Sequence, residues 1–316
     1  KLLHIVTVKG KGFAPAEREQ TKWHAQSSPF DKITGKSLAQ PSTGTKAPKY
    51  QDVFGSTLVE LAEQDDRIVG MTPAMPSGSS LLPMMEAFPN RAFDVGIAEQ
   101  HAVTFAAGLA AQGKKAFCAI YSTFLQRGFD QLVHDVAIQK LPVVFCIDRA
   151  GVVGADGPTH HGVYDISYLR SIPHVVISSP LNEQELRDMM FTASQYEEAA
   201  WAIRYPRGAS TGMQLRDHFE TIPVGKGQAI REGEHVAVLS FGPIGKYVIE
   251  VSDDLGEQGY CIGHYDMRFA KPLDTSLLDH IISNYDEVIT LEDASVLGGF
   301  GSAVAEYFAA QDKAPK

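Results

Sequence analysis

Reactive side chains are concentrated in three parts of the sequence that each follow a predicted strand. The densest, DRAGVVGADGPTHHGVYD at 148–165, follows the apolar strand LPVVFCI and contains Asp148, Arg149, Asp156, His160 and His161. Arg149 suits an anion, because guanidinium binds phosphate in a fork, and the glycines allow close approach of the backbone to a ligand. Adjacent histidines usually point apart, so His160 and His161 do not predict a metal site. A plain glycine-rich surface loop is the alternative.

The second segment, DVGIAEQHAVTF, places Glu99 between the apolar strand FDVGIA and a helix rich in alanine and glycine. A carboxylate at the start of a helix often serves only as a favourable charge in the first turn. It can also be a partly buried acid whose surroundings tune its proton affinity. The residues alone leave both interpretations open.

The third part comprises the segments YSTFLQR and AIRYPRG, which place the following residues just past strands: Tyr121, Phe124, Arg127, Arg204 and Arg207. Each arginine alone is more often a surface salt-bridge partner than a ligand contact. Ligands of open parallel sheets bind at the carboxyl ends of the strands, so these loops are where a site is expected.

The elements that must position these segments alternate between helix and strand from Tyr50 onward. Short, continuously apolar strands separated by helices are typical of a parallel sheet covered on both faces. The first α/β unit is predicted to contain helix VFGSTLVELAEQD, strand RIVGMTPA, strand FDVGIA, helix HAVTFAAGLAAQG, strand KAFCAIY, helix FDQLVHDVAIQK, strand LPVVFCI, strand HVVISS and helix ELRDMMFTASQ. A second unit begins near Gly225, with the apolar strands HVAVLSFG, YCIGHYDM and EVITLED and helices over 245–256, SLLDHIISN and 302–310.

Two further motifs have structural explanations. ADG at 155–157 with Asn182 mimics the spacing of a GDG…N magnesium diphosphate site, but Ala155 replaces the first glycine. Asn182 is predicted as a helix N-cap, with Glu185 in the capping-box position. LGGFGS at 297–302 lacks the full dinucleotide-binding fingerprint, and close helix–strand packing explains its glycines. We therefore predict no metal ligands in this chain.

The composition limits the functions open to the chain. Its 316 residues favour two domains, and 28 Lys and Arg against 38 Asp and Glu give a formal charge of −10. That charge disfavours nucleic-acid and anionic-membrane partners, because both need a basic face. No apolar run approaches the roughly 18 residues that span a bilayer. The three cysteines Cys118, Cys146 and Cys261 indicate no disulfide framework, so a reducing cytosol is expected.

The first 50 residues differ from the rest. Residues 2–8 are predicted to form a buried strand, and the absence of an initiator Met and of a signal peptide suggests a fragment of a longer protein. Residues 9–50, rich in Lys, Gly, Pro, Ser and Thr, predict an extended and largely exposed connector with a short turn at 15–20.

Taken together, five motifs in this order closely resemble the 1-deoxy-D-xylulose-5-phosphate synthase family, thiamine-diphosphate enzymes of the transketolase superfamily: FDVGIAEQHAVTFAAGLA, AIYSTFLQRGFDQLVHDVAIQKLPV, IDRAGVVGADGPTHHG, RYPRG and DMRFAKPLD. The resemblance covers nearly the whole chain. It implies an α/β protein with the tail of a first domain and connector at 1–49, a pyrimidine-binding domain at 50–222 and a C-terminal domain, incomplete at its end, at 223–316. The rest of the first domain carries the metal and diphosphate site in this family.

The resemblance also implies an activity. Family members condense pyruvate with D-glyceraldehyde 3-phosphate, release carbon dioxide and form 1-deoxy-D-xylulose 5-phosphate, the first step of the non-mevalonate isoprenoid pathway. They use thiamine diphosphate and Mg²⁺, and they are homodimers of the cytoplasm, or of plastids in plants. Without the metal half-site, the chain by itself is expected to be inactive.

Cofactor-binding roles follow from the resemblance residue by residue. Glu99 matches the catalytic glutamate that hydrogen-bonds a pyrimidine nitrogen of the cofactor. Phe124 matches the aromatic that stacks on the pyrimidine, and Ile97 the apolar wedge that holds the cofactor bent. Lys9 aligns with a lysine near the diphosphate. Phe13 takes the place of a tyrosine in KGxGY, so the ring is kept and the hydroxyl is lost.

Substrate-binding roles are implied for the segments past the strands. The positions that match contacts of the acceptor and its phosphate are Arg149, Arg207, Tyr121 and Asp156. His160 matches a catalytic histidine near the reacting carbons, and His24, in WHA, matches another that approaches the cofactor from the connector. Transketolase and the beta chain of a 2-oxoacid dehydrogenase are the nearest alternatives, and the loop DRAGVVGADGPTHHG at 148–162 is expected to differ in both. A non-catalytic scaffold or half-enzyme is the alternative of a different class.

Overall fold

The computed structural model describes residues 1–24, 28–39, 47–312 and 314–316. It divides into two compact units, Lys1–Lys46 and Ala47–Lys316, and each is described by itself below.

The smaller unit is built around an aromatic cluster and one short helix, α1 (Ala14–Arg18), which has a proline in its first turn. The ring of Trp23 contacts Phe13 at 5.0 Å and Phe30 at 4.7 Å between centroids. The strand predicted at 2–8 is wrong: these residues form no regular structure and their apolar side chains are exposed, Leu2 by 98%. A strand needs a hydrogen-bonded neighbour, and within the described residues none pairs with this segment. Residues 9–24 and 28–39 are mostly exposed, as predicted for a connector, whereas 25–27 and 40–46 lie outside the described residues.

The described residues of the larger unit form eleven strands and ten further α-helices. The strands are β1 (Ile68–Thr72), β2 (Ala92–Asp94), β3 (Lys115–Tyr121), β4 (Val144–Asp148), β5 (Val175–Ser178), β6 (Ala200–Arg204), β7 (Gln228–Arg231), β8 (Val236–Phe241), β9 (Gly263–Asp266), β10 (Phe269–Lys271) and β11 (Glu287–Glu292). The helices are α2 (Tyr50–Gln64), α3 (Leu82–Ala87), α4 (Glu99–Ala111), α5 (Ser122–Leu125), α6 (Phe129–Gln131), α7 (Asp165–Arg170), α8 (Glu183–Gln195), α9 (Gly245–Glu257), α10 (Thr275–Asn284) and α11 (Phe300–Ala309).

The first sheet has seven strands in the order β10-β5-β6-β4-β3-β1-β2. All its pairings are parallel except that of β10, which runs antiparallel to β5. Successive residues of β3 enter opposite cores: Cys118 packs with α4 and α7, and Phe117 packs with α2, α3 and α8. This alternation places helices on both faces, and it explains why β1, β3, β4, β5 and β6 are buried along their whole length. The layered α/β arrangement is the predicted one.

The second sheet has the order β11-β8-β9-β7, with β8 parallel to both neighbours and β7 antiparallel to β9. The prediction of fully apolar strands is wrong for β11, whose residues are exposed or half-buried and whose Ile289 is largely exposed. β11 lies at the edge of the sheet, and among the described strands β8 alone pairs with it. Within the described residues, no helix has the length and apolar character needed to cross a membrane.

The residues of the two motifs that the sequence explains structurally, Asn182 and LGGFGS at 297–302, make structural contacts. The Asn182 side chain accepts the Glu185 N–H at 3.0 Å, which confirms the N-cap, whereas the Glu185 carboxylate reaches back to the Leu181 N–H at 2.8 Å. A Cβ atom at Gly299 would lie 2.5 Å from the Glu292 carboxylate, and one at Gly301 would lie 2.6 Å from the hydroxyl of Thr290. Close packing of α11 on β11 therefore requires the glycines of LGGFGS.

Candidate active site

The carboxyl ends of the central parallel strands bring the three predicted segments together. Tyr121 at the end of β3 is the register partner of Asp148 at the end of β4, and Ile147 in β4 is the partner of Arg204 at the end of β6. The loops that follow these strands therefore emerge at one edge of the sheet, as the sequence predicted.

Glu99 is the first residue of α4, and its side chain is only 5% exposed. Its Oε1 accepts a hydrogen bond from Arg127 Nη1 at 2.9 Å, and in the described part of the chain no group donates to Oε2. Ile97, two residues earlier, is 84% exposed, so its side chain is open to contact. The acid is thus more than a first-turn charge: it is a buried carboxylate with one ion-pair partner.

An aromatic wall joins two of the loops. Phe124 stacks on Tyr121 with 5.4 Å between ring centroids, and it meets the His160 ring edge-on at 5.5 Å. His161 makes a different contact, because its Nδ1 accepts the Val153 N–H at 3.2 Å. The two adjacent histidines therefore serve separate contacts, as expected.

Arg149 is buried directly beyond β4, with the centre of its guanidinium 4.1 Å from the centroid of the Tyr121 ring. Its Nη1 donates to Gln51 Oε1 at 2.9 Å, to the Gly78 carbonyl at 2.8 Å and to the Asp148 carboxylate. Its buried Nε has no hydrogen-bond partner among the described residues. The backbone of Arg149 adopts a φ of +58°, a left-handed conformation that non-glycine residues seldom adopt and that is often found at functional sites.

Burial governs the electrostatics around Arg149. It raises the pKa of the Asp148 carboxyl to about 6, although the Arg149 charge opposes the shift. Burial also raises the pKa of the Tyr121 hydroxyl to about 12, so that hydroxyl stays protonated at neutral pH. The sequence did not single out Gln51 or Gly78, because they reach Arg149 from segments 98 and 71 residues away.

The other two arginines of this edge differ from each other. Arg207 is partly exposed, and its Nε lies 2.8 Å from the Asp156 carboxylate. Arg204 is buried and holds Asp165 with two hydrogen bonds, Nε to Oδ2 at 2.9 Å and Nη2 to Oδ1 at 3.2 Å. Arg207 is therefore accessible to a ligand, whereas Arg204 is committed to a structural ion pair.

The three remaining candidates, Lys9, Phe13 and His24, lie in the smaller unit. Lys9 Nζ is in hydrogen-bond contact with His24 Nδ1, and the Phe13 ring packs on Trp23. In the described residues of the whole chain, no group of three or more His, Cys, Asp or Glu side chains is arranged to hold a metal ion.

Two family models match the chain. Residues 46–212 match the transketolase pyrimidine-binding domain, and residues 225–315 match the transketolase C-terminal domain. The chain belongs to the transketolase family. The structure likewise resembles a chain described as "Split gene transketolase, inactive beta4 tetramer", with a TM-score of 0.75 and 28% identity over 85% of this chain and 87% of that one.

Relatives within the transketolase family are closer in sequence. The chain is 55% identical to the 1-deoxy-D-xylulose-5-phosphate synthase of Cytophaga hutchinsonii, over 98% of this chain and 49% of the relative. It is 52% identical to the synthase of Bacteroides thetaiotaomicron, over 100% of this chain and 48% of the relative. The resemblance seen in the motifs is confirmed. The chain spans about half the length of these curated relatives.

Proposed function

We propose that the chain supplies the pyrimidine-binding and C-terminal domains of an enzyme that condenses pyruvate with D-glyceraldehyde 3-phosphate. The products are 1-deoxy-D-xylulose 5-phosphate and carbon dioxide. The observation that carries the proposal is the placement of two buried groups at one sheet edge: the Glu99 carboxylate, and Arg149 with its unpaired Nε. The relatives at 50–55% identity support the same activity.

The residues at this edge fit the pyrimidine half of thiamine diphosphate, on which the transketolase family depends. Glu99 has a buried carboxylate whose Oε2 accepts nothing from the described residues, and its partner Arg127 also lies 5.8 Å from the centroid of the Phe124 ring. When bound, the cofactor supplies an electron sink at its thiazolium carbon. Mg²⁺ is typical of the family, and we assign its ligands to no residue of this chain.

Each residue then has a task in the proposed reaction. Glu99 holds a proton between its carboxylate and a pyrimidine ring nitrogen, Phe124 stacks on that ring, and Ile97 supports the bent cofactor. His160, which packs against Phe124, is proposed to exchange a proton with the reacting substrate. For Lys9, Phe13 and His24, the proposed roles are the cofactor-binding and catalytic ones that the family resemblance implies.

The acceptor phosphate is assigned to Arg149 and Arg207, with Tyr121 and Asp156 beside them. The unpaired Nε of Arg149 is a donor that a phosphate oxygen would satisfy, and the Tyr121 ring fixes the plane of the guanidinium. Arg207 is paired with Asp156, so a phosphate would share or displace that carboxylate. We further propose a homodimer located in the cytoplasm, with the domain boundaries predicted from the sequence.

The test uses the intact protein that carries this chain, supplied with thiamine diphosphate and Mg²⁺. Glu99→Gln is expected to abolish release of carbon dioxide from pyruvate, because the ring nitrogen loses its ionisable partner. Arg149→Met is expected to raise the KM for glyceraldehyde 3-phosphate by about tenfold or more, since a charge-assisted hydrogen bond contributes ~1.5–3 kcal/mol. The product is identified by NMR.

Arg67→Met is the matched control, since Arg67 is a half-exposed arginine paired with Asp65 at the opposite end of β1. It should leave both properties unchanged. An unaltered KM in Arg149→Met would contradict the phosphate role, and normal carbon dioxide release in Glu99→Gln would contradict the proposed reaction.

A further inference from the structure

We propose that Arg127 is a positioning residue for Glu99: it holds one carboxylate oxygen of Glu99 and thereby presents the other to the pyrimidine ring. This inference rests on the proposed function. In this proposal the orientation of the Glu99 carboxylate is set by the exposed Arg127 and not by the glutamate side chain alone.

The ion pair between Arg127 and Glu99 joins an exposed side chain to a buried one. The Glu99 side chain is 5% exposed and the Arg127 side chain is 57% exposed, yet Arg127 Nη1 lies 2.9 Å from Glu99 Oε1. The same guanidinium lies 5.8 Å from the centroid of the Phe124 ring. One arginine therefore contacts both groups that would touch the pyrimidine, the acid and the stacking aromatic.

The chain is shaped to bring Arg127 to this place. Arg127 is the middle residue of a 3₁₀ turn, Gln126–Gly128, which lies against α4. A Cβ atom at Gly128 would lie 2.8 Å from Val103 Cγ2 and 3.5 Å from the Glu99 carbonyl oxygen, so a larger residue would push the turn away from α4. The glycine thus permits the approach that the ion pair needs.

A second contact holds α4 against the segment that carries Arg127, at a point further along the chain. The Thr104 hydroxyl on α4 donates to Asp135 Oδ2 at 2.5 Å, and Asp135 lies in a π-helical turn, Leu132–Ala137. Such turns are rare and frequently accompany functional sites. The segment that carries Arg127 is therefore anchored to α4 on both sides of Phe129–Gln131.

The expected effect is on orientation rather than on binding. A glutamate has several rotatable bonds, and an ion pair at Oε1 restricts them without occupying Oε2. Loss of the pair would let the carboxylate turn away from the ring nitrogen. Misplacement of a reacting group by about 1 Å can lower a rate by roughly a hundredfold, whereas a partly exposed ion pair contributes little net binding energy.

The experiment measures two properties of the intact protein loaded with thiamine diphosphate and Mg²⁺. The first is the affinity for the cofactor, by titration calorimetry. The second is the rate of deuterium exchange at the thiazolium carbon, by quench-flow and NMR, with no substrate present. Arg127→Met is expected to slow the exchange by about tenfold to a hundredfold and to change the affinity by less than about fivefold. Arg127→Lys should recover part of the exchange rate, and Arg67→Met should change neither property.

The outcomes separate this inference from the function on which it rests. If Glu99→Gln removes exchange while Arg127→Met exchanges at the normal rate, Arg127 is not a positioning residue and the proposed function stands. If Glu99→Gln itself exchanges normally, the proposed function fails. If Arg127→Met weakens cofactor affinity as strongly as it slows exchange, the arginine acts on binding rather than on the orientation of Glu99, and the inference is wrong.

Discussion

Removal of the Arg204 guanidinium is expected to be the most destabilising single change at this sheet edge. Arg204 is 4% exposed and Asp165 is fully buried, and their two hydrogen bonds measure 2.9 and 3.2 Å. Arg204 Nη2 also donates to the Asp293 carbonyl at 3.1 Å. Arg204→Met keeps the length of the aliphatic chain and leaves the Asp165 charge buried without its partner. Loss of one member of a buried ion pair costs about 3–5 kcal/mol.

The assay is urea unfolding of the intact protein followed by tryptophan fluorescence. Trp201 lies in β6, three residues before Arg204, and it is buried, so its emission reports the unfolding of this sheet. Arg67→Met is the control, because its half-exposed pair with Asp65 should contribute no more than about 1 kcal/mol.

A double-mutant cycle separates the pair from the surrounding packing. Asp165→Asn combined with Arg204→Met should destabilise by less than the sum of the single changes, with a coupling energy above about 1 kcal/mol, because Asp165→Asn removes the charge that Arg204→Met leaves without a partner. A loss below about 1 kcal/mol in Arg204→Met would refute the reasoning, since that is the range of an exposed pair.

Two further predictions concern other buried positions. Burial in β9 lowers the pKa of His264 to about 4, so below about pH 6.5 the unfolded state binds more protons, and stability should fall by about 3 kcal/mol between pH 6.5 and 4. His264→Leu should flatten that slope in urea unfolding at several pH values, and an unchanged slope would contradict the assignment. A Cβ atom at Gly162 would lie 2.3 Å from the Arg149 carbonyl and 2.4 Å from Ser122 Cβ, so Gly162→Ala should destabilise by ~1–3 kcal/mol. Gly108→Ala, in open space on α4, should be neutral or stabilising by up to about 1 kcal/mol, and equal effects of the two would refute the steric argument.

The ends of the central strands could be predicted from the sequence, because buried parallel strands have two simple properties. Continuous apolar runs predict β3 and β4, and because parallel strands place their carboxyl ends at one edge, the sequence predicts Tyr121 and Arg149 at the same edge. The same reasoning could not find Gln51, because nothing in its local sequence relates it to Arg149, 98 residues away. Side-chain contacts between residues far apart in the chain leave no periodic pattern in the sequence.

Other elements escaped prediction for different reasons. β10 has three residues and lies among the strands of the second unit in sequence, yet it pairs with β5 in the first sheet. Residues 2–8 have the apolar composition of a strand but no pairing partner among the described residues. The composition of a segment shows whether its side chains are apolar enough to be buried. Strand pairing depends in addition on whether another segment lies beside it in the folded molecule.

The four arginines of the site show why residue type and position at a sheet edge do not by themselves decide a role. Arg204 is 4% exposed and is held by three hydrogen bonds, two to the Asp165 carboxylate and one to the Asp293 carbonyl. Arg149 is also buried, but its three partners share a single nitrogen, and no described residue pairs with its Nε. Arg207 and Arg127 each keep one carboxylate contact and remain partly exposed, so a ligand can reach them. The exposure of each guanidinium and the partners it already holds, rather than its charge, distinguish the structural Arg204 from the three arginines that are proposed to act on ligands or on Glu99.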